Sequence, residues 1–309
     1  MNKNFIKLEP AYLKSGEIDL PGSKSISNRV LLLASLAKGD TLIKNLLFSD
    51  DTEIMLSALK KLGINIVENI KLKECYVEGS NNLFPIKEAD IYVGNAGTVV
   101  RPLTAALAFN NGHYKLHGTN RMHQRPIKDL INSLNSMGAK IDYLNQDGYP
   151  PIEIKKTNQN IHTVKIKGNI SSQYLTSLIL SSTIFSKKND FEIYLEGDLI
   201  SKPYIDITLK LMKLFGINIL KRKNNFFLIP SKQILQNPKE IYIEGDASSA
   251  SYFLAAAAIG AGSLKINGVG SKSIQGDIKF IEILEKMGAK VKIKENSIEV
   301  SCNAFLKSG

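Results

Sequence analysis

Tryptophan is absent from the 309 residues, cysteine occurs twice and histidine four times. Each scarcity excludes something. Cys75 and Cys302 cannot staple a disulfide scaffold, and they fit neither a CxxC pair nor a mixed Cys/His zinc spacing. A reducing compartment, the cytoplasm, is the expectation. His113, His117 and His162 form no HExxH or other ligating pattern, and His123 is at most a weak acid or base, so neither a metal nor a cofactor is expected. Long apolar runs are missing too. The longest mainly apolar stretch, Tyr252 to Leu264, falls well short of the ~20 residues that span a bilayer. The amino-terminal MNKNFIKLEPAYLKSG contains no apolar signal core, so neither export nor membrane insertion is expected.

Acidic residues are in deficit, 29 against 40 lysines and arginines, which leaves a net charge of +11. A basic chain attracts nucleic acid, anionic membrane surfaces or small anions. The basic residues are scattered in doublets and triplets such as Lys221-Arg222-Lys223, with no long run. No RNP-like aromatic motif or helix-turn-helix pattern accompanies them, so nucleic acid is not an expected partner. Small acidic metabolites remain. What the chain has in plenty is apolar material, 43% hydrophobic against 22% charged, enough to build large cores. The length suits two domains of about 150 residues each.

Four segments look alike: DTEIMLSALKKLGINI from Asp51, PIKDLINSLNSMGAKI from Pro126, YIDITLKLMKLFGINI from Tyr204 and GDIKFIEILEKMGAKV from Gly276. Each carries apolar residues at helical spacing, then a glycine, then a β-branched strand start. The glycines, Gly63, Gly138, Gly216 and Gly288, recur at intervals of roughly 75 residues. A helix closed by a left-handed glycine and followed by a strand accounts for them. A second set interleaves with the first, starting at Ser25, Gly97, Ser171 and Ser248: small polar residues, an apolar helix, a break, then a strand. The chain therefore reads as four copies of an α/β unit, each with two helices and several strands.

The helices of the second set begin with Gly, Ser and Thr, which leave main-chain N–H groups accessible to an anion. PGSKSISNR, residues 21–29, puts the Lys24 ammonium, the Ser25 hydroxyl and the Arg29 guanidinium at one helix start. GNAGTVVRP, from Gly94, offers a second cradle around Asn95 and Gly97, with Thr98 as a cap and Arg101 open to a structural reading. RMHQRP sets Arg121 and Arg125 beside Pro126 and a following helix whose first turn accepts proline. GNISSQY gathers Ser171, Ser172 and Gln173, and SKPY adds Ser201 and Tyr204. These suit a phosphate better than a nucleophile, because no GxSxG elbow surrounds them. Asp50 and Asp51 suit a helix start as caps, with an ion pair to Lys24 or Arg29 open. GDASSAS, from Gly245, fits capping and packing at least as well as binding. The residues alone thus support an enzyme or binder of small di-anions built from repeats.

PGSKSISNR, GNAGTVVRP, RMHQRP, GNISSQYL, LISKPYIDITL, EGDASSASYFLAAAA and GDIKFIEILEKMGAKV closely resemble, in this order, the motifs of the 3-phosphoshikimate 1-carboxyvinyltransferase (EPSP synthase) family. The resemblance covers essentially the whole chain. It implies an enolpyruvyl transferase fold of repeated βαβαββ units in two domains of three units each. It also implies transfer of the enolpyruvyl group of phosphoenolpyruvate to shikimate 3-phosphate with release of phosphate, on the route to aromatic amino acids. Residues 21–240 are then a lower domain of three units. Residues 1–20 and 241–309 are a partial second domain of about one unit, whose apolar face is expected to lack neighbours and leave 241–309 partly disordered or prone to aggregate.

By the same resemblance Lys24 touches both substrates. Ser25 and Arg29 clamp the shikimate carboxylate, Ser171, Ser172 and Ser201 hold its phosphate, and Tyr204 lies along its ring. Gly97 and Arg125 meet the phosphate of phosphoenolpyruvate with Asn95 nearby, and Gln173 reaches both ligands. The general-base aspartate and the groups that complete the phosphoenolpyruvate site are expected beyond Gly309. A monomer is expected, with the two small molecules as its partners. Two other readings stand beside this one: an inactive remnant that binds shikimate 3-phosphate, and the related UDP-N-acetylglucosamine enolpyruvyl transferase, against which the SSQ and SKPY clusters argue.

Overall fold

A computed structural model describes residue 6 and residues 15–157, 161–222, 225–260 and 262–302. The remainder of the expected second domain, at 1–5, 7–14, 261 and 303–309, lies outside the described residues. In chain order the elements begin with β1 (Gly16–Asp19), α1 (Lys24–Leu36), β2 (Thr41–Lys44), α2 (Asp50–Lys61), β3 (Ile66–Asn69) and β4 (Glu74–Val77). There follow β5 (Glu88–Tyr92), α3 (Gly97–Leu107), β6 (His113–His117), α4 (Lys128–Ser136), β7 (Lys140–Tyr143) and β8 (Ile152–Lys155). Next come β9 (Thr163–Lys167), α5 (Ser172–Leu180), the short α6 (Ser182–Phe185), β10 (Phe191–Glu196), α7 (Lys202–Leu214), β11 (Leu220–Arg222) and β12 (Phe226–Ile229). The last are β13 (Glu240–Tyr242), α8 (Ala247–Ile259), β14 (Ser263–Asn267), α9 (Phe280–Lys286), β15 (Lys290–Ile293) and β16 (Ser297–Ser301).

These elements divide into two compact units, residues 22–243 and residues 1–21 with 244–309. The larger unit contains three four-stranded sheets, in the orders β13-β2-β4-β3, β5-β6-β8-β7 and β9-β10-β12-β11. All three follow one plan. The first strand pairs in parallel with the second, as Ile91 opposite Leu116 illustrates in β5 and β6, and the other pairings are antiparallel. Parallel neighbours need a crossover, and helices supply it where the paired strands are consecutive, α3 between β5 and β6 and α5 with α6 between β9 and β10. Strand sequences alternate as a half-buried sheet requires: Phe191, Ile193 and Leu195 of β10 are buried while Tyr194 and Glu196 are exposed.

Each sheet carries two helices of different character. In α1 every residue from Ile26 to Leu36 is buried, and α3 and α5 are buried nearly as completely. α1, α3 and α5 pack against one another, which explains helices that are apolar on all sides. α2, α4 and α7 keep a polar face in water. α2 opens with a capping box between Ser49 and Thr52 and with Asp50, Asp51 and Glu53 in its first turn, and it ends on Lys60 and Lys61. Gly63, Gly138, Gly216 and Gly288, which follow α2, α4, α7 and α9, have φ of 89°, 98°, 80° and 104°, a region where a Cβ is strained.

The smaller unit repeats the plan once, as the sheet β1-β14-β16-β15 over a core that includes Leu254, Leu264, Ile266, Leu284, Ile298 and Val300. Tyr252 and Ile259 on α8 and Ile283 on α9 remain 78%, 75% and 54% exposed. Over residues 262–302 the strands and helices are regular. β1 pairs with β14 although it precedes α1, and β13 pairs with β2 although it precedes α8. Each unit thus takes one first strand from a remote part of the chain. The division expected after residue 240 falls after Ile243 instead, because β13 is hydrogen-bonded into the larger unit.

Cys75 and Cys302 are buried and form no disulfide, and desolvation pushes the Cys75 thiol up to about 12. Among the described residues no helix is long and apolar enough to cross a membrane.

Candidate active site

A cleft of about 420 Å³ opens in the larger unit. Its lining comes from the first turns of four helices: Lys24 and Ser25 of α1, Thr98 of α3, Ser171, Ser172 and Gln173 at the start of α5, and Ser201 and Tyr204 at the start of α7. Arg29 adds a cation one turn deeper in α1, and Ile170 and Ile200 supply apolar surface. A helix start presents N–H groups without intrahelical acceptors and the positive end of the dipole. Four together give the lining the polarity that favours an anion.

Local sequence accounts for these starts. Ser171 caps α5 by accepting from the Gln173 N–H at 3.2 Å, and its own hydroxyl proton is left to be donated. Ser201 precedes α7 in the left-handed region, with φ 53° and ψ 42°, and its side chain makes no capping bond. Such a conformation costs a non-glycine residue of order 1–3 kcal/mol and tends to persist at functional positions.

Arg29 is the buried charge of the cleft, with 7% of its surface exposed. Nε donates to Thr208 Oγ1 at 3.0 Å and Nη1 to the Ser25 carbonyl at 2.8 Å. Nη2 reaches Thr176 Oγ1 and the Tyr204 carbonyl, both at 3.5 Å. Every one of these acceptors is neutral. Desolvation brings the guanidinium down to about 10, so it still carries its charge at neutral pH. A cation placed among dipoles, without a carboxylate to balance it, suits an anion arriving from solvent.

Lys24 is tethered differently. Its ammonium lies 3.6 Å from Asp51 Oδ2, while Thr98 Oγ1 donates to the same oxygen at 3.4 Å and accepts from Asn28 Nδ2 at 2.8 Å. Of the two ion pairs left open by the sequence, the structure forms the one with Lys24. The other predicted group assembles at the start of α3. Arg125 Nη1 donates to the Asn95 carbonyl at 2.6 Å, and a Cβ on Gly97 would stand 2.4 Å from Arg125 Nη2. Only the missing side chain lets the guanidinium lie against the helix end. Gly97, Thr98 and Gln173 also line a pocket of about 20 Å³ with Asn28, Arg29 and Thr176.

Lys24, Ser25, Arg29, Ser171, Ser172, Gln173, Ser201 and Tyr204 thus share one cleft, and Asn95, Gly97 and Arg125 form a second cluster at α3. His123 is structural in character, its Nε2 accepting from the Gly118 N–H at 3.4 Å. Asp246 caps α8, accepting from Ser249 N–H at 2.8 Å. Pro126 precedes α4 by two residues and is not in its first turn. Sequence reasoning missed Thr176, Thr208 and the inward role of Arg101. Their signal is faint but present: each lies four residues past a helix-start residue, at 172, 204 and 97, so each falls one turn deeper on the same face.

Residues 9–307 match the family described as EPSP synthase (3-phosphoshikimate 1-carboxyvinyltransferase). A 3-phosphoshikimate 1-carboxyvinyltransferase of Janthinobacterium sp. (strain Marseille) is 48% identical over 305 residues, covering 99% of this chain and 69% of that protein. One of Paraburkholderia phytofirmans is 50% identical over 298 residues, covering 96% and 68%. The solved EPSP synthase of Acinetobacter baumannii superposes with a TM-score of 0.80 over 95% of this chain and 66% of that one, at 23% identity, a likeness of fold. Fold and cleft define an α/β repeat protein with a cleft lined by helix starts and cations. The chain belongs to the EPSP synthase family and spans about 70% of the length of the curated relatives it matches. The relatives cited carry the shikimate name, and the UDP-N-acetylglucosamine alternative gains no support from them.

Proposed function

We propose that this chain binds shikimate 3-phosphate in the cleft of residues 22–243 and works, as a cytoplasmic monomer, in the family's reaction. That reaction transfers the enolpyruvyl group of phosphoenolpyruvate to the acceptor hydroxyl, which loses its proton and adds to C2 while C3 takes a proton; the tetrahedral adduct then expels phosphate as C3 gives up a proton, which restores the C2–C3 double bond. One observation carries the reading: all eight residues assigned to the acceptor line the one cleft. In it Arg29 and Ser25 take the carboxylate, and Ser171, Ser172 and Ser201 take the phosphate with the α5 and α7 helix starts. Tyr204 lies along the ring. Lys24 and Gln173 face both ligands, and Gly97, Arg125 and Asn95 receive the phosphate of phosphoenolpyruvate. Charge developing on the adduct would be met by preorganised cations and N–H groups.

Among the described residues the cleft lining contains no carboxylate or imidazole, so these residues are assigned binding and orientation, and proton transfer is not assigned to them. That same observation favours a second reading, a chain that binds the acceptor without turning it over. Titration calorimetry of the chain with shikimate 3-phosphate tests the proposal, with UDP-N-acetylglucosamine as the comparison ligand. Saturable binding of the first alone is expected. No binding by protein that unfolds cooperatively overturns the proposal. Phosphate release from phosphoenolpyruvate that depends on shikimate 3-phosphate separates turnover from binding alone.

A further inference from the structure

Arg101 lies one turn into α3 and outside the cleft lining, with 7% of its surface exposed. Its Nη1 donates to Gln173 Oε1, and its Nη2 donates to the Pro126 carbonyl at 3.2 Å. The guanidinium carbon stands 5.4 Å from the centre of the Tyr174 ring, and the Tyr174 hydroxyl donates to the same Pro126 carbonyl at 2.9 Å. A Cβ on Gly97 would come within 2.9 Å of Arg101 Nη1. One side chain therefore touches the start of α3, the start of α5 and the residue that follows Arg125.

We propose that Arg101 is a positioning residue that fixes which end of the Gln173 carboxamide faces the substrates. The argument rests on donor and acceptor identity. A guanidinium has five N–H donors and no acceptor, so the group it meets on Gln173 must be the carbonyl oxygen. The carboxamide is then held with its oxygen turned to Arg101, and its NH₂ is left for the cleft and the small adjoining pocket, both of which Gln173 lines. Gln173 thereby becomes a donor to the ligand. It selects an acceptor atom, such as a phosphate, carboxylate or ether oxygen, over an N–H or O–H presented at that point. The hold on Pro126 extends the same control to Arg125, one residue earlier. This inference deepens the proposed function and rests on it for the identity of the ligand.

A thermodynamic cycle separates positioning from general support. Arg101→Leu, Gln173→Ala and the double variant are titrated with shikimate 3-phosphate, with cooperative unfolding checked for each. Each single change is expected to weaken binding about tenfold, a typical loss for a hydrogen bond to a charged group. The double variant is expected to be no weaker than either single one, because removing Arg101 already removes the useful orientation of Gln173. Losses that multiply, or an Arg101→Leu protein that binds like the parent, overturn the inference. Should Arg101→Leu fail to fold, Gln173→Glu carries the test: its carboxylate pairs with Arg101 but offers no donor, so retained folding with weakened binding is expected, and parental affinity overturns the inference. The ¹H–¹⁵N side-chain amide signals of Gln173 give a readout in the unliganded chain. They are expected to move toward free-glutamine positions in Arg101→Met, which offers no donor, and unmoved signals count against Arg101 even if shikimate 3-phosphate fails to bind the parent protein. That latter failure strikes the proposed function alone.

Discussion

Arg29 decides the chemistry of the cleft because its charge is buried against oxygens that carry none. Leaving a guanidinium so placed is costly, and a bound anion offsets that cost. Arg29→Met is therefore expected to weaken shikimate 3-phosphate binding by about 10–150-fold, the range of about 1.5–3 kcal/mol for hydrogen bonds to charged groups. The same change should leave the melting temperature equal or higher. Calorimetry and thermal unfolding check both halves; a fallen melting temperature with intact affinity would make Arg29 a structural residue. Ser201 has the complementary logic. Glycine adopts its left-handed backbone without strain, so Ser201→Gly is expected to stabilise the fold by about 1 kcal/mol while binding weakens about tenfold through the lost hydroxyl. Denaturant titration measures the first effect and calorimetry the second, and gains in both would remove Ser201 from the site.

At the scale of elements, the site is a property of helix starts. α1, α3 and α5 can be buried on all sides only because each packs on the others, and that packing brings their first turns together. α3 shows how tight the arrangement is. In Gly97→Ala the added methyl stands 2.4 Å from Arg125 Nη2 and 2.9 Å from Arg101 Nη1. Both atoms end long side chains, so the fold should accommodate the change by moving a guanidinium rather than the backbone. Phosphoenolpyruvate binding in the presence of shikimate 3-phosphate is expected to fall by an order of magnitude or more, roughly one charge-assisted hydrogen bond. Shikimate 3-phosphate binding by itself should change little. Equal losses for the two ligands in parallel titrations would refute the separate role given to the α3 cluster.

At the scale of the whole molecule, the two units differ in how well their helices are enclosed. α1 is buried from Ile26 to Leu36, whereas α8, more apolar in sequence, leaves Tyr252 and Ile259 in water. Regions with fewer buried contacts open at lower free energy. Amides of α8 are expected to exchange with deuterium at least about tenfold faster than those of α1 under native conditions. Matching protection factors for the two helices would contradict this. The result would also show whether this exposed apolar surface carries a stability cost.

The repeat was legible in the chain because its signals are local: glycine needs no neighbour to end a helix, and alternation needs only the strand itself. Gly63, Gly138, Gly216 and Gly288 announce the four helix ends from sequence alone, and the runs of small polar residues announce where the apolar helices start. Local signals do not say which strand completes which sheet. β1 and β13 look like first strands of the helices that follow them, yet each pairs in the other unit, since parallel pairing is settled by which sheet edge is open. Nor could spacing reveal that Arg29 meets only neutral acceptors, or that Arg101 grips Gln173, because those partners lie on other helices. The sequence by itself determined the repeating unit and the kinds of group offered to a ligand. Tertiary structure decided which of those groups meet, because helix packing alone brings residues more than a hundred positions apart within hydrogen-bonding reach.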